Sequence, residues 1–74
     1  MIAEIRQKIL RKNGHEAVFI KLSVVAKVLG FASSDPVIDI ADKEGIQILK
    51  VNKYRVIRKD DLDNLLRAII KERV

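Results

Sequence analysis

A mainly helical domain with a small β-hairpin, in the order α-β-α-α-β-β-α, follows from three observations in this sequence. Apolar residues recur at helical spacing in four segments, whereas the run from Ile46 to Arg58 alternates apolar and polar residues. Residues that start and stop helices stand at the joints: Ser23, Asp35 and Pro36 at beginnings, Gly14, Gly30 and Gly45 at ends. With 74 residues, 49% of them apolar, only three glycines and one proline, the chain reads as one packed domain over 1–74.

Ile2, Ile5, Ile9 and Leu10 lay an apolar stripe along residues 2–12, with Glu4, Arg6, Gln7, Lys8, Arg11 and Lys12 elsewhere on the wheel. Asn13-Gly14 ends that helix. Ala17 to Leu22 sets Val18, Phe19, Ile20 and Leu22 around Lys21, a β-branched and aromatic mixture suited to a short strand. Ser23 is expected to cap a helix over Val24 to Leu29, in which Val24, Val25, Val28 and Leu29 crowd one side and the small Ala26 admits a neighbour. After Gly30 comes a corner reaching to Pro36. Proline pushes its predecessor out of helical geometry, so Asp35 is the expected cap and Pro36 the first residue of a helix to about Glu44. That helix is expected to bury Val37, Ile38, Ile40 and Ala41, and Gly45 to end it.

Ile46 to Lys59 predicts two strands reversing at Val51-Asn52-Lys53-Tyr54, where Asn52 tolerates a positive φ better than Lys53 does. Asp60 or Asp61 then opens the last helix, where negative charge suits the positive end of the helix dipole, and Lys71 and Arg73 suit its other end. Leu62, Leu65, Leu66, Ile69 and Ile70 form one continuous stripe on it.

A domain this small buries only about 60% of the surface its unfolded chain exposes, so its stability needs a supplement. Disulfides cannot supply one, because there is no cysteine, and a single histidine rules out the usual structural zinc ligands. A homodimer through the first or the last helix is therefore expected. No apolar stretch approaches the ~20 residues needed to span a bilayer. Glu4 and Arg6 stand where a signal peptide would be uninterruptedly apolar, which predicts a cytoplasmic protein without a membrane role. No cofactor, metal or catalytic constellation is expected. His15 beside Glu16 lacks a companion nucleophile, Ser33-Ser34 lacks a positioned histidine, and Asp60, Asp61 and Asp63 are accounted for by the start of a helix.

The formal charge is +5 and the isoelectric point about 9.8, which favours an acidic partner. That charge is unevenly placed. Residues 1–30 hold six cations and two carboxylates, residues 31–49 one cation and four carboxylates, and residues 50–74 eight cations and four carboxylates.

Two stretches carry a resemblance. Leu22-Ser23-Val24-Val25-Ala26-Lys27-Val28-Leu29-Gly30 resembles the first helix and turn of many small transcription regulators and excisionase-like proteins. Gly45-Ile46, followed by Lys53-Tyr54-Arg55-Val56-Ile57-Arg58-Lys59-Asp60-Asp61-Leu62, resembles the wing and following helix of the winged helix-turn-helix superfamily. The resemblance covers essentially the whole chain. It implies a DNA-binding transcriptional regulator or architectural accessory of winged helix-turn-helix fold, with the helix 36–44 in the position that reads the major groove.

Groove-reading helices usually present Arg, Lys, Asn, Gln, Ser or Thr to the bases. This one carries Asp35, Asp39, Asp42 and Glu44 against Lys43 alone, and carboxylates near a polyanion repel it. Two readings follow. In one, double-stranded DNA is held by the ribbon and its flanks: Lys50, Lys53, Arg55 and Arg58 near phosphates, Tyr54 against a sugar or groove wall, hydroxyl and backbone donors from Ser33-Ser34, and Lys43 the single cation of the helix. In the other, the domain docks a protein, and the acidic helix 36–44 receives a basic partner within a larger assembly. RNA is a third polyanion the same ribbon could hold. With only Phe19, Phe31 and Tyr54 as aromatic residues, the sequence does not predict the paired stacking surface of a single-strand binder.

Overall fold

The computed structural model describes residues 2–73; the side chain of Arg73, and with it the expectation for the end of the last helix, lies outside the described residues. The chain is mainly helical with a small three-stranded antiparallel sheet. In order, it forms α1 (Ile2–Asn13), β1 (Phe19–Lys21), α2 (Leu22–Leu29), α3 (Asp35–Lys43), β2 (Leu49–Val51), β3 (Tyr54–Arg58), a 3₁₀ turn (Lys59–Asp61) and α4 (Leu62–Arg73).

One apolar core holds these elements together. Ile9 and Leu10 of α1, Ile20 of β1, Leu22, Val25 and Ala26 of α2, Val37, Ile40 and Ala41 of α3, Ile57 of β3, and Leu62, Leu65, Leu66, Ala68 and Ile69 of α4 are all buried in it. Among the described residues no polar or charged side chain is buried with them. The α4 stripe is consumed inside the chain: Leu62 and Leu65 are fully covered and Leu66 and Ile69 nearly so, each contributing about 1.5–3 kcal/mol. Ile70 alone of the stripe stays half-exposed, as do Ile2 and Ile5 of α1 and Ile38 of α3.

The sheet order is β1-β3-β2, so the strand predicted before α2 joins the hairpin and flanks its second strand. Phe19 pairs with Arg58, Ile20 with Ile57 and Lys21 with Val56; on the other side Leu49 pairs with Val56, Lys50 with Arg55 and Val51 with Tyr54. Alternation then sorts the side chains. Ile20 and Ile57 face the helices, with Lys50 and Arg55 continuing that face toward the hairpin tip. Phe19, Lys21, Leu49, Val51, Tyr54, Val56 and Arg58 share the opposite face.

Besides Ile38, expected in the core but half-exposed, and the last helix, which starts at Leu62 after a 3₁₀ turn over Lys59–Asp61 and not at Asp60 or Asp61, local expectations shift in four places. The strand is shorter than Ala17 to Leu22, because Leu22 is already helical and delivers its side chain fully into the core. Ser23 therefore sits inside the first turn of α2 rather than capping it. The cap position falls to Lys21, whose extended backbone (φ −71°, ψ 129°) still belongs to β1 and whose side chain makes no capping hydrogen bond. Helix α3 likewise begins at Asp35, with Ser34 in the cap position and Pro36 in the first turn. Finally, Ile46 and Ile48 lie outside the hairpin and pack on the core, since the Ile46 amide donates to the Ala41 carbonyl (2.9 Å) to close the end of α3.

The stops behave as predicted. Gly30 adopts φ +82°, its amide donating to the Lys27 carbonyl at 3.2 Å and that of Phe31 to the Ala26 carbonyl at 2.9 Å, a Schellman closure that a Cβ would strain. At the hairpin tip Asn52 takes φ +56° and is, among the described residues, the one non-glycine with positive φ. Lys53 thus escapes the left-handed region, and the turn closes with two residues.

Asn13 ties α1 to the sheet. Its Nδ2 donates to the Phe19 carbonyl and its Oδ1 accepts from the Lys21 amide, both at 2.9 Å, on the edge of β1 that no strand covers. Across the helices, Arg6 Nε lies 3.1 Å from Asp63 Oδ1, an ion pair about half in solvent and so worth at most about 1 kcal/mol.

Candidate nucleic-acid interface

Helices α2 and α3 both begin beside the hairpin tip. The strand β1 runs into α2 without a loop, and the Gly30–Ser34 corner returns the chain so that α3 starts against the same end of α2. Leu22 and Ser23 from α2, Ser34, Asp35 and Ile38 from α3, and Lys53, Tyr54 and Arg55 from the ribbon line one open cleft of about 340 Å³. Neither helix has a side-chain cap. Amides of a first helical turn have no partner within the helix, so two helix beginnings offer N–H groups and the positive ends of their dipoles next to Lys53 and Arg55. One amide at this corner, that of Asp35, is taken up locally by Ser33 Oγ at 3.4 Å.

Four of the residues singled out in the sequence, Ser34, Lys53, Tyr54 and Arg55, therefore meet in one place. Lys50 belongs with them, since it stands directly across the ladder from Arg55. Ser33 lines an adjoining hollow with Ser23, Lys27, Gly30 and Ser34, so the two hollows share Ser23 and Ser34 as a common wall. Lys43 and Arg58 do not join. Lys43 is exposed at the far end of α3, and Arg58 lies at the far end of β3, lining a separate depression with Glu44, Arg67 and Lys71.

Sequence reasoning missed Ser23, Lys27 and Lys21. Ser23 has the chemistry of a cap, but α2 begins at Leu22, two residues before the expected Val24, and Ser23 instead lines the cleft. The Lys21 ammonium sits 4.3 Å from the centre of the Tyr54 ring, a contact between two strands that do not pair with each other at those positions. Such a cation over a ring is weakly attracted by the ring's negative face.

The electrostatics are lopsided. Directly opposed like charges destabilise a ladder, and Lys50 and Arg55 form such a pair. Among the described residues the ion pair is Arg6–Asp63, between α1 and α4, so no carboxylate is bound to the cations of the tip. On α3 the advance of about 100° per residue puts Asp35, Asp39 and Asp42 within an arc of about 60°, opposite the buried Val37, Ile40 and Ala41. The outward pole of this helix is three aspartates, with Ile38 and Lys43 on its flanks.

Among the described residues no helix is long and apolar enough to cross a membrane. Comparison with protein-family models, with curated proteins and with solved structures finds no match to this chain.

Proposed function

We propose that this chain is a small winged helix-turn-helix protein that binds double-stranded DNA through its backbone, as a transcriptional regulator or architectural accessory. The element order and the β1-β3-β2 sheet support the winged-helix reading, with β2-β3 as the wing. The observation that carries the DNA reading is the convergence of Ser34, Lys53, Tyr54 and Arg55 on one cleft at two uncapped helix beginnings. Phosphates would meet Lys50, Lys53 and Arg55, with hydroxyls of Ser23, Ser33 and Ser34 and backbone amides behind them. Tyr54 would lie against a sugar or groove wall.

In this arrangement α3 does not read bases. Its outward aspartates would face the polyanion, so the duplex is held by the ribbon cations Lys50, Lys53 and Arg55 and sequence choice is weak. Affinity is then expected to fall steeply with salt. A homodimer through α1 or α4 belongs to the same proposal, and Ile2, Ile5 and Ile70 are the half-exposed apolar residues on which it would form.

A second reading is favoured by the Asp35-Asp39-Asp42 pole: a domain of a larger assembly in which α3 docks a basic protein partner. One experiment separates the two. Retention of random duplex in a gel across a salt series, weakened by Lys53→Glu or Arg55→Glu, supports DNA binding. Indifference to those substitutions, with capture of a basic partner lost on Asp39→Lys or Asp42→Lys, supports docking.

A further inference from the structure

We infer that the outer face of the sheet is a second surface, one that stacks unpaired bases of a single-stranded nucleic acid on Phe19 and Tyr54. The ladder puts Phe19, Lys21, Leu49, Val51, Tyr54, Val56 and Arg58 on that face. Its exposed apolar residues lie outside the core cluster, whereas Val56 in its middle is buried at 3% exposure. The large hydrophobic residues left exposed among the described residues are Val18, Phe19, Val51 and Tyr54: three on this face and one at its border. A soluble domain does not gather its exposed apolar side chains on one sheet face without a partner for them.

Charge selects the occupant. The strands place Lys21 and Arg58 on the face and no carboxylate, while at its Phe19 border Lys59 stands with Glu16 and Asp60; the face itself is cationic, so a second copy packed sheet against sheet would bring cation to cation. An anionic partner is matched instead, and the aromatic residues narrow its chemistry. Each has a cation beside it: Phe19 is the ladder partner of Arg58, and Lys21 lies over the Tyr54 ring at 4.3 Å. A ring to stack on and a cation within reach of the adjoining phosphate make up the repeating unit of single-strand recognition. The row of Phe19 lies four residues along β3 from Tyr54, about 13 Å, so two bases can stack without sharing a ring. An exposed ammonium over a ring is held weakly enough for a base to displace it toward phosphate.

This surface stands apart from the wing cleft. Tyr54 lines the wing cleft, but Phe19 does not; it lines a separate depression with Val18, Arg58 and the flanking Glu16 and Asp60. The two proposals therefore fail separately.

The test uses the intact chain, a short oligothymidylate, a duplex of equal length, and polyglutamate. Tyr54 is the only tyrosine and there is no tryptophan, so tyrosine emission reports this ring alone. Oligothymidylate is expected to quench that emission and to move the ring protons of Phe19 and Tyr54 upfield. Phe19→Leu keeps apolar bulk but loses the ring; it should weaken single-strand binding by about fivefold to a hundredfold and leave duplex binding unchanged. Phe19→Ala should act in the same direction. Failure to bind oligothymidylate, binding without ring shifts, or wild-type affinity in Phe19→Leu overturns the inference. Equal ring shifts with polyglutamate overturn it too, and assign the face to acidic peptides.

Discussion

Lys50→Glu should make the protein more stable and a poorer DNA binder at once. Lys50 and Arg55 are ladder partners on exposed positions, and directly opposed residues hold their Cβ atoms about 4.5–5.5 Å apart. With the charged ends about 6 Å apart, the bare repulsion is roughly 0.7 kcal/mol in water and roughly 3 kcal/mol at an effective dielectric of 20. Long side chains splay apart and solvent screens them, so the lower value governs, within the range of about 0.2–1 kcal/mol measured for cross-strand pairs. Replacing repulsion by attraction should then stabilise the fold by about 0.5–1 kcal/mol. In a domain of this length that raises the melting temperature by about 2–8 °C.

Thermal melts followed by far-UV circular dichroism should show the rise at low salt and its shrinkage at high salt, where the Debye length falls to about 3 Å. Duplex affinity in the same buffers should drop, with a salt slope shallower by about one phosphate contact. Lys50→Gln should give about half of each effect. A melting temperature that stays level or falls at low salt would refute the electrostatic account of the ribbon. A rise in melting temperature with duplex affinity unchanged would leave the like-charge pair real but remove the wing as the phosphate contact.

Asn13→Ala removes both bonds that hold the open edge of β1, so stability should fall by about 1–3 kcal/mol, and hydrogen exchange at the Lys21 amide should accelerate more than at Ile57. Gly30→Ala should lower the urea midpoint by the equivalent of about 1–2 kcal/mol, all of it backbone strain at φ +82°, because nothing lies within 4 Å of the added Cβ. Leu65→Ala, at a fully buried position of α4, should remove about 2–5 kcal/mol, enough to leave a domain this small largely unfolded near body temperature in a circular dichroism melt. Replacing Asp35, Asp39 and Asp42 together by Asn should tighten duplex binding in the salt-series gel; unchanged or weaker binding would mean that α3 does not face the duplex.

The helices were legible because their signal is local. Ile2, Ile5, Ile9 and Leu10 declare α1 within four turns, and Leu62, Leu65, Leu66 and Ile69 declare α4, with no reference to the rest of the chain. Gly30 and Gly45 mark their stops equally well, because a left-handed closing residue is a property of one position. Helix starts were less legible. Ser23 has the chemistry of a cap, yet Leu22 is drawn into the core and the helix begins before the serine is reached. That choice rests on a contact with distant residues, and no window around Ser23 contains it. The candidate site was legible in part: Lys53, Tyr54 and Arg55 are neighbours in the chain, whereas Ser34 joins them only through the return of α3.

From residue order alone came four helical segments, a hairpin with Asn52 at its tip, a cationic ribbon and an acidic third helix, since each depends on periodicity or composition within a few turns of chain. Only the tertiary structure decided that β1 flanks β3 and that α3 starts beside the hairpin tip. It alone brought Phe19 and Tyr54, 35 positions apart in the chain, onto one face of the sheet. Pairing between strands and the direction in which a helix turns its apolar side are set by which distant surfaces bury one another, and that free energy is not written in any single segment.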